Sequence, residues 1–440
     1  MSVRTHELDV NGSIARVPRE YRSFLDFIKT SKYDVYIFGA DIAGKAVQKI
    51  LERERVLTKG FLDNNKNKCG VSLNNVFVFH APHLENIPKD SIVLVASTYI
   101  ADIIEQVESH GFFNWVPIHF IIEANDGVDF RALIDGDLQH NHSGGKFTKD
   151  FVDFAISNMV NSQKKYLNPN LLFVRSVDLI LTEKCSLKCK DCANLMQYYS
   201  NPVNIEKQEL FDDLEDLVAV CDEINEIRII GGEPLMNKHF HEISVKAASY
   251  EKVNRVVIYT NGTICPPDEK LKLLQDEKIF VFITTYGDLS KNAEKFRDKL
   301  AELNIQFNCQ PAYGWTECGG IKVWNRTPQD NLEIFKNCCA KHFTTMTDGK
   351  LFRCPFSANA ERLMAIPQAD SDFASVRGAR AFPPDQVLLV KKKLKWFLRQ
   401  KPVLSACDSC NGRTYGDPEI TPGIQAKAPI EHLLYTRKEV

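Results

Sequence analysis

From Val177 onward, five apolar runs recur, each closed by a polar or glycine-bearing segment, with helical stretches between them. "VDLIL" (177–181) precedes a cysteine loop, and "EIRII" (226–230) precedes Gly231-Gly232-Glu233-Pro234. "NRVVIYT" (254–260) precedes Asn261-Gly262-Thr263, "IFVFITT" (279–285) precedes Tyr286-Gly287-Asp288, and "IQFNCQ" (305–310) comes last. Repeated βα units build a parallel barrel or an open parallel sheet, and both carry their chemistry at the carboxyl ends of the strands. All four marked segments fall on that one rim. A separate alternation fills 34–122: "DVYIFG" (34–39), the helical stripe "AGKAVQKILERE" (43–54), then "KGFLD" (59–63), "VFVF" (76–79) and "SIVLVAS" (91–97). That pattern predicts a second, doubly wound sheet, so the fold class is α/β.

With 440 residues the chain is too long for one core, and two or three domains are expected. The boundaries read as 1–125 for the first sheet, 126–170 for a linker and lead-in helix, 171–330 for the barrel, 331–415 for a small cysteine-bearing α+β region and 416–440 for a tail. "HNHSGGK" (140–146) is polar and Gly-rich; its His140 and His142 have no companions to complete a metal site, so a solvated linker is the expectation. The net charge of −2 supplies no global field for nucleic acid or anionic lipid. No apolar run approaches a membrane span, and "MSVRTHELDV" has no signal-peptide core, so a cytoplasmic protein is expected.

Thirteen cysteines, odd in number and clustered, point to metal or redox chemistry rather than a disulfide framework. Cys185, Cys189 and Cys192 crowd one loop, and the next cysteine, Cys221, lies 29 residues on. A structural zinc site needs four protein ligands. A cubane cluster held by three thiolates keeps one iron open for a substrate or cofactor. Iron–sulfur, zinc and coincidental thiols all remain open on spacing alone.

Cys185-x3-Cys189-x2-Cys192 after a first barrel strand, with Gly231-Gly232-Glu233-Pro234 after the second, resembles the signature of the radical S-adenosylmethionine (radical SAM) superfamily. The resemblance implies a partial barrel of six βα units and a 4Fe–4S cluster held by Cys185, Cys189 and Cys192. It also implies S-adenosylmethionine on the open iron, cleaved by one electron from a flavodoxin- or ferredoxin-type donor to give a 5′-deoxyadenosyl radical. Gly231 and Gly232 would admit the methionine end, Glu233 would accept from its ammonium, and Asn261 and Thr284 would face the adenosine. The residue before the third cysteine is commonly aromatic or apolar in the family, and here it is Asp191.

A second cysteine set follows. "FTTMTDGKLFRC" (343–354) predicts a hairpin turning at Asp348-Gly349. Cys338 and Cys339 precede it, Cys354 ends it, and Cys407-Asp408-Ser409-Cys410 closes the region. The arrangement resembles a shortened, twitch-type SPASM region. This implies an auxiliary 4Fe–4S cluster on Cys338, preferred over Cys339, with Cys354, Cys407 and Cys410; a zinc ribbon is the plain alternative. "VLLVKKKLKWFLRQ" (387–400) predicts an amphipathic helix with Val387, Val390, Leu394, Phe397 and Leu398 inward and its lysines solvated.

Cys69, Cys221 and Cys309 read as buried thiols. Cys265 and Cys318 are the two placed to return a hydrogen atom to a substrate radical. In the first domain Gly39 and Gly44 match the outer glycines of a dinucleotide turn, and Asp63 matches the ribose acid. Asp41, however, replaces the middle glycine with a charge unfavourable to a pyrophosphate. That domain resembles the Rossmann-like modules of sugar-modifying enzymes. Twitch-bearing relatives oxidise sugars and aminocyclitols or modify peptides. The function implied is hydrogen abstraction from a small molecule, a sugar or nucleotide-linked carbohydrate, leading to oxidation or epimerisation. The alternatives are a radical peptide-modifying enzyme and a zinc-stabilised binding protein.

Overall fold

The computed structural model describes residues 17–134, 148–166, 168, 170–414 and 416–436. His140 and His142 lie outside the described residues. The chain divides into two compact units, Met1–Leu171 and Leu172–Val440.

In the first unit, β1 (Val35–Phe38), β2 (Thr58–Asp63), β3 (Ser72–Leu73), β4 (Val76–His80), β5 (Ile92–Val95) and β6 (Trp115–Pro117) form one sheet. Their order is β3-β4-β2-β1-β5-β6. Only β3 runs antiparallel to its neighbour. Ile92 and Leu94 of β5 enter a core shared with the helix Ile42–Arg53, and Val93 and Val95 enter another shared with the helix Ile100–Ser109. A strand covered on both faces has no polar side, which is why "IVLV" is apolar throughout. The helix Lys149–Tyr166 adds Val152, Ile156 and Met159 to the first of these cores.

The turn after β1 carries its own anion. Asp41 caps the helix Ile42–Arg53, with Oδ1 accepting the Ile42 N–H at 2.9 Å and Oδ2 paired with Lys68 at 2.8 Å. Lys68 holds this carboxyl well below the usual range. The helix N-terminus, where a pyrophosphate would dock, therefore faces a carboxylate of the chain. Gly44 serves packing: a Cβ there would stand 1.9 Å from the Gly39 carbonyl oxygen. Asp63 accepts from the N–H groups of Ala40 and Asn65 at 2.9 and 2.8 Å, tying β2 to the turn.

The second unit holds β7 (Phe173–Val174), β8 (Val177–Ile180), β9 (Glu223–Ile230), β10 (Val253–Thr260), β11 (Ile279–Thr285), β12 (Gln306–Pro311), β13 (Thr345–Thr347), β14 (Lys350–Phe352) and β15 (Phe373–Ser375). The sheet order is β12-β11-β10-β9-β8-β13-β14-β15, with β7 beside β9. Strands β8 to β12 are parallel, and β13 lies parallel on the free edge of β8. With the short β7, which pairs in parallel with β9, seven parallel strands are described, and β13, the last of them, comes from the later hairpin and sits beside β8. After Pro311 the chain runs without a strand as far as the helix Pro328–Asn337, so no sixth successive βα unit forms.

Strand periodicity decides what faces the barrel interior. Ile227 and Ile229 of β9, Val256 and Ile258 of β10, and Val281 and Ile283 of β11 pack into the outer core, where Leu210, Leu214 and Leu217 of the helix Lys207–Val220 meet them. Truncating one such leucine to alanine costs about 2–5 kcal/mol. The alternate residues point inward. Arg228 pairs with Asp178 at 3.2 Å and lies over the Tyr259 ring at 4.6 Å. The hairpin β13–β14 turns at Asp348 (φ 54°) and Gly349 (φ 70°), the left-handed pair that an Asp-Gly turn requires. The helix Pro384–Arg399 buries Leu394 and Phe397, with Val387, Val390 and Leu398 packed alongside. Among the described residues no helix is long and apolar enough to cross a membrane.

Candidate active site

A cavity of about 260 Å³ opens at the carboxyl ends of β8 to β11. Its wall includes Cys185, Cys189, Cys192, Gly231, Gly232, Asn261, Thr284 and Cys318, residues scattered over 134 positions of sequence. The cysteine loop is held open by the segment after β9. Gly232 N donates to Thr182 O and Glu233 N to Lys184 O, both at 2.8 Å. A Cβ at Gly231 (φ +142°) would stand 2.4 Å from Thr182 O, and one at Gly232 2.1 Å from Lys184 O. The paired glycines thus let two backbones touch, which fixes the cysteine loop against β9.

Glu233 stands behind that wall. It is fully buried and does not line the cavity. Its Oε1 accepts from Thr260 Oγ1 at 2.8 Å and from Leu235 N at 3.2 Å, and its Oε2 accepts from Asn261 N at 2.8 Å. Burial pushes its carboxyl up to about 7, and these three donors oppose the rise. The role visible in the structure is to tie the glycine turn to the end of β10. Asn261 in turn directs Nδ2 to Ser186 Oγ at 3.0 Å and to Cys185 Sγ at 3.8 Å.

Cys189 is buried and Cys185 and Cys192 are half-buried, and desolvation raises all three above the ordinary range, Cys192 to about 11. Backbone N–H groups of Met196, Asn194 and Leu195 face the Cys192 sulfur and oppose that rise. Among the described residues, no three His, Cys, Asp or Glu side chains converge closely enough to hold a single ion. Of the two sequence-chosen hydrogen donors, Cys318 lines the cavity, with Sγ 3.7 Å from the Asp191 carbonyl oxygen. Cys265 lies off the wall, packed against the barrel core. Asp191 lines the cavity, and so do Leu187, Tyr286 and Trp315, apolar and aromatic faces that the sequence did not single out.

The second cysteine set lies in the hairpin region. Cys354 caps the helix Pro355–Arg362, and its sulfur accepts from Ser357 N at 3.5 Å. Cys410 Sγ accepts from Gly412 N at 3.3 Å, and Cys338 Sγ from Ala340 N at 3.4 Å. The Cys407–Cys410 loop is pinned by Arg326, whose Nη1 donates to the carbonyls of both residues at 2.9 and 3.0 Å, and by Asp372, which accepts from Ser405 and Ala406. Burial pushes Cys354 up to about 11 and Cys407 to about 12. The charge of Cys338 adds to the rise at Cys354, Cys407 and Cys410. The Cys339 thiol meets Arg413, Cys338 and Asp417. Cys338 is therefore the member of the adjacent pair that faces the other three.

The family model of the radical SAM superfamily matches residues 179–301, from β8 through the cysteine loop and the glycine turn to the helix after β11. The barrel of this chain is a radical SAM domain. A GTP 3′,8-cyclase of Clostridium acetobutylicum is 32% identical over 96 residues, 21% of this chain and 30% of that protein. One of Synechocystis sp. is 27% identical over 126 residues, 28% of this chain and 36% of that protein. The chain thus spans about a third of the length of these curated relatives. The solved structure of BtrN in complex with AdoMet and 2-DOIA aligns at a TM-score of 0.35 and 15% identity, over 57% of this chain and 98% of that one.

The donor set of the radical SAM domain fits its cofactors. Three thiols share one cavity, and polar hydrogens from Asn261, Gln425 and the 194–196 backbone are aimed at their sulfurs. Donors of this kind support thiolate ligands. Gln425 was invisible in the sequence because it lies in the segment read as a tail. That segment returns to the radical SAM loop: Lys190 N donates to Ile424 O and Ala426 N to Lys188 O, both at 2.7 Å, and Ile420 N donates to Trp315 O at 2.8 Å. No periodicity marks such a strap, since it borrows its backbone partners from a loop.

Proposed function

We propose that this chain is a radical SAM enzyme that abstracts a hydrogen atom from a sugar or nucleotide-linked carbohydrate and passes the resulting electron to an auxiliary cluster. One observation carries the reading. Cys318 and Arg413 both line the three-cysteine cavity, and both are coupled to Cys338 of the second set. Cys318 and Arg413 thus stand between the two cysteine sites, on the side of the cavity toward which an electron would pass.

Cys185, Cys189 and Cys192 would hold a 4Fe–4S cluster with S-adenosylmethionine, which would supply a 5′-deoxyadenosyl radical on one-electron reduction by a flavodoxin- or ferredoxin-type protein. The residues around it orient and enclose. Asn261 and Thr284 line the rim on which the nucleoside would lie, and Gly231 and Gly232 shape the opposite edge. Glu233 fixes the position of Asn261. Leu187, Tyr286 and Trp315 keep water from the reacting centre. Cys338, Cys354, Cys407 and Cys410 hold the auxiliary 4Fe–4S cluster. The matched relatives are named for a nucleotide substrate, which accords with the nucleotide-linked class.

A second outcome has its own support. Cys318 is a thiol on the cavity wall outside both ligand sets, and its S–H would return a hydrogen atom and give epimerisation, the thiyl radical left behind taking an electron from the reducing protein by way of the auxiliary cluster and a proton from solvent. Reaction of the reduced enzyme with a panel of nucleotide sugars deuterated around the ring tests both. Deuterium in 5′-deoxyadenosine with loss of two hydrogens from the sugar supports oxidation. Replacement of one sugar deuterium by one solvent hydrogen, with no second hydrogen lost, and its disappearance in Cys318→Ala, supports epimerisation. No deuterium transfer from any member overturns the substrate class.

A further inference from the structure

Two polar atoms on the cavity wall lack partners, although the Arg413 guanidinium also meets the Cys339 thiol. Arg413 Nε and Thr316 Oγ1 are buried, and neither makes a hydrogen bond within the protein. Buried donors are nearly always satisfied, and an exception calls for a partner from outside the chain. Among the described residues lining the cavity, Arg413 is the one Lys or Arg. Trp315, the neighbour of Thr316, meets Tyr286 edge-on at 5.7 Å, and both rings share this wall. Asp191 is the one carboxylate on it.

We propose that Arg413 and Thr316 form an anion subsite for a phosphate or diphosphate group of the substrate, with Trp315 and Tyr286 flanking the attached sugar or base. A guanidinium fork matches phosphate oxygens in a way a neutral sugar cannot use, and the hydroxyl supplies one further donor. Aromatic faces suit the flat side of a sugar or base, and Asp191 is free to accept from sugar hydroxyls. Arg413 stands beside Cys318, Cys338 and Cys339. The anchored group would therefore lie toward the second cysteine set, leaving the Cys185 side to the cosubstrate. This rests on the radical SAM reading and names its substrate class: a phosphorylated or nucleotide-linked carbohydrate, not a neutral sugar or a peptide.

Calorimetry on the cluster-loaded enzyme saturated with S-adenosylmethionine tests it, with inorganic pyrophosphate, uridine diphosphate glucose and glucose as probes. The expected result is binding of the first two and not of glucose. Arg413→Gln should weaken both by about tenfold or more, Arg413→Lys should restore part, and Thr316→Val should cost a few-fold. Iron content is measured alongside, and Thr316→Val, remote from the cluster ligands in sequence, guards against a merely structural loss at Arg413. Glucose binding as tightly as the nucleotide sugar, no pyrophosphate binding to the wild type, or unchanged affinity in Arg413→Gln overturns the subsite. 5′-Deoxyadenosine formation without added sugar is assayed separately. Its absence would remove the radical SAM reading even where anion binding stands.

Discussion

Gln425 donates from Nε2 to Cys189 Sγ at 3.4 Å while its Oε1 accepts the Lys188 N–H at 2.7 Å. One amide thus grips Cys189, a proposed cluster ligand, and the loop that carries it, from a segment some 236 residues away. Hydrogen bonds to cluster sulfurs stabilise the reduced state and raise the potential. Gln425→Leu is expected to make the three-cysteine cluster harder to reduce. At a fixed solution potential near the midpoint, the ratio of reduced to oxidised cluster should fall by about tenfold, equivalent to about 59 mV for one electron. A redox titration followed by electron paramagnetic resonance reads this directly. An unchanged midpoint contradicts it.

The adjacent thiols Cys338 and Cys339 should behave differently. Cys338→Ala removes the residue coupled to Cys354, Cys407 and Cys410 and is expected to halve the iron content. Cys339→Ala, whose thiol faces Arg413, is expected to leave iron at the wild-type level. The opposite ranking would reassign the ligand.

Gly232→Ala would drive a methyl group to 2.1 Å from the Lys184 carbonyl oxygen, so the glycine turn and the cysteine loop must separate. A loss of stability above about 2 kcal/mol is expected from backbone strain of this size. The urea midpoint reports it, and iron incorporation should fall in parallel.

Asp213 gives a pH dependence of defined sign. It is buried beside Glu209 and Asp348, and burial, then these charges, push its carboxyl from 3.8 up to about 7. The folded state therefore holds this proton more tightly than the unfolded chain does. The contribution of Asp213 to stability is most favourable below pH 4 and declines between about pH 4 and pH 7, by up to about 1.4 kcal/mol per pH unit. Asp213→Asn should raise stability at pH 8 and change little at pH 4. Urea unfolding at the two pH values measures this. A variant less stable at pH 8 would show that the charged form is stabilised after all.

Local patterns carried much of the fold. Recurrent apolar runs, each closed by a polar or glycine-bearing segment, marked β8 to β12, because parallel strands covered on both faces are apolar along most of their length. Asp348-Gly349 marked the hairpin, because few other pairs take two left-handed residues at low cost. The placement of β13 beside β8 was not legible, since a three-residue strand pairs across some 167 positions with no periodicity to announce it. For the same reason the bracing contacts of Glu233 were not legible, and Gln425, Thr316 and Arg413 passed unnoticed. Their roles depend on which loops meet in space. Cys265 and Cys318 looked equivalent by sequence, and only the chain path after β12 brings one of them to the wall.

The decisive measurement is 5′-deoxyadenosine production from S-adenosylmethionine under anaerobic, dithionite-reduced conditions, with the cluster signal recorded in the same samples. Wild-type protein and Cys318→Ala should both cleave the cosubstrate and keep the three-cysteine cluster, while Cys189→Ala should lose both. If Cys318→Ala also loses that cluster, a fourth thiol caps the iron that the cosubstrate needs, and the chain does not begin radical chemistry in the way described.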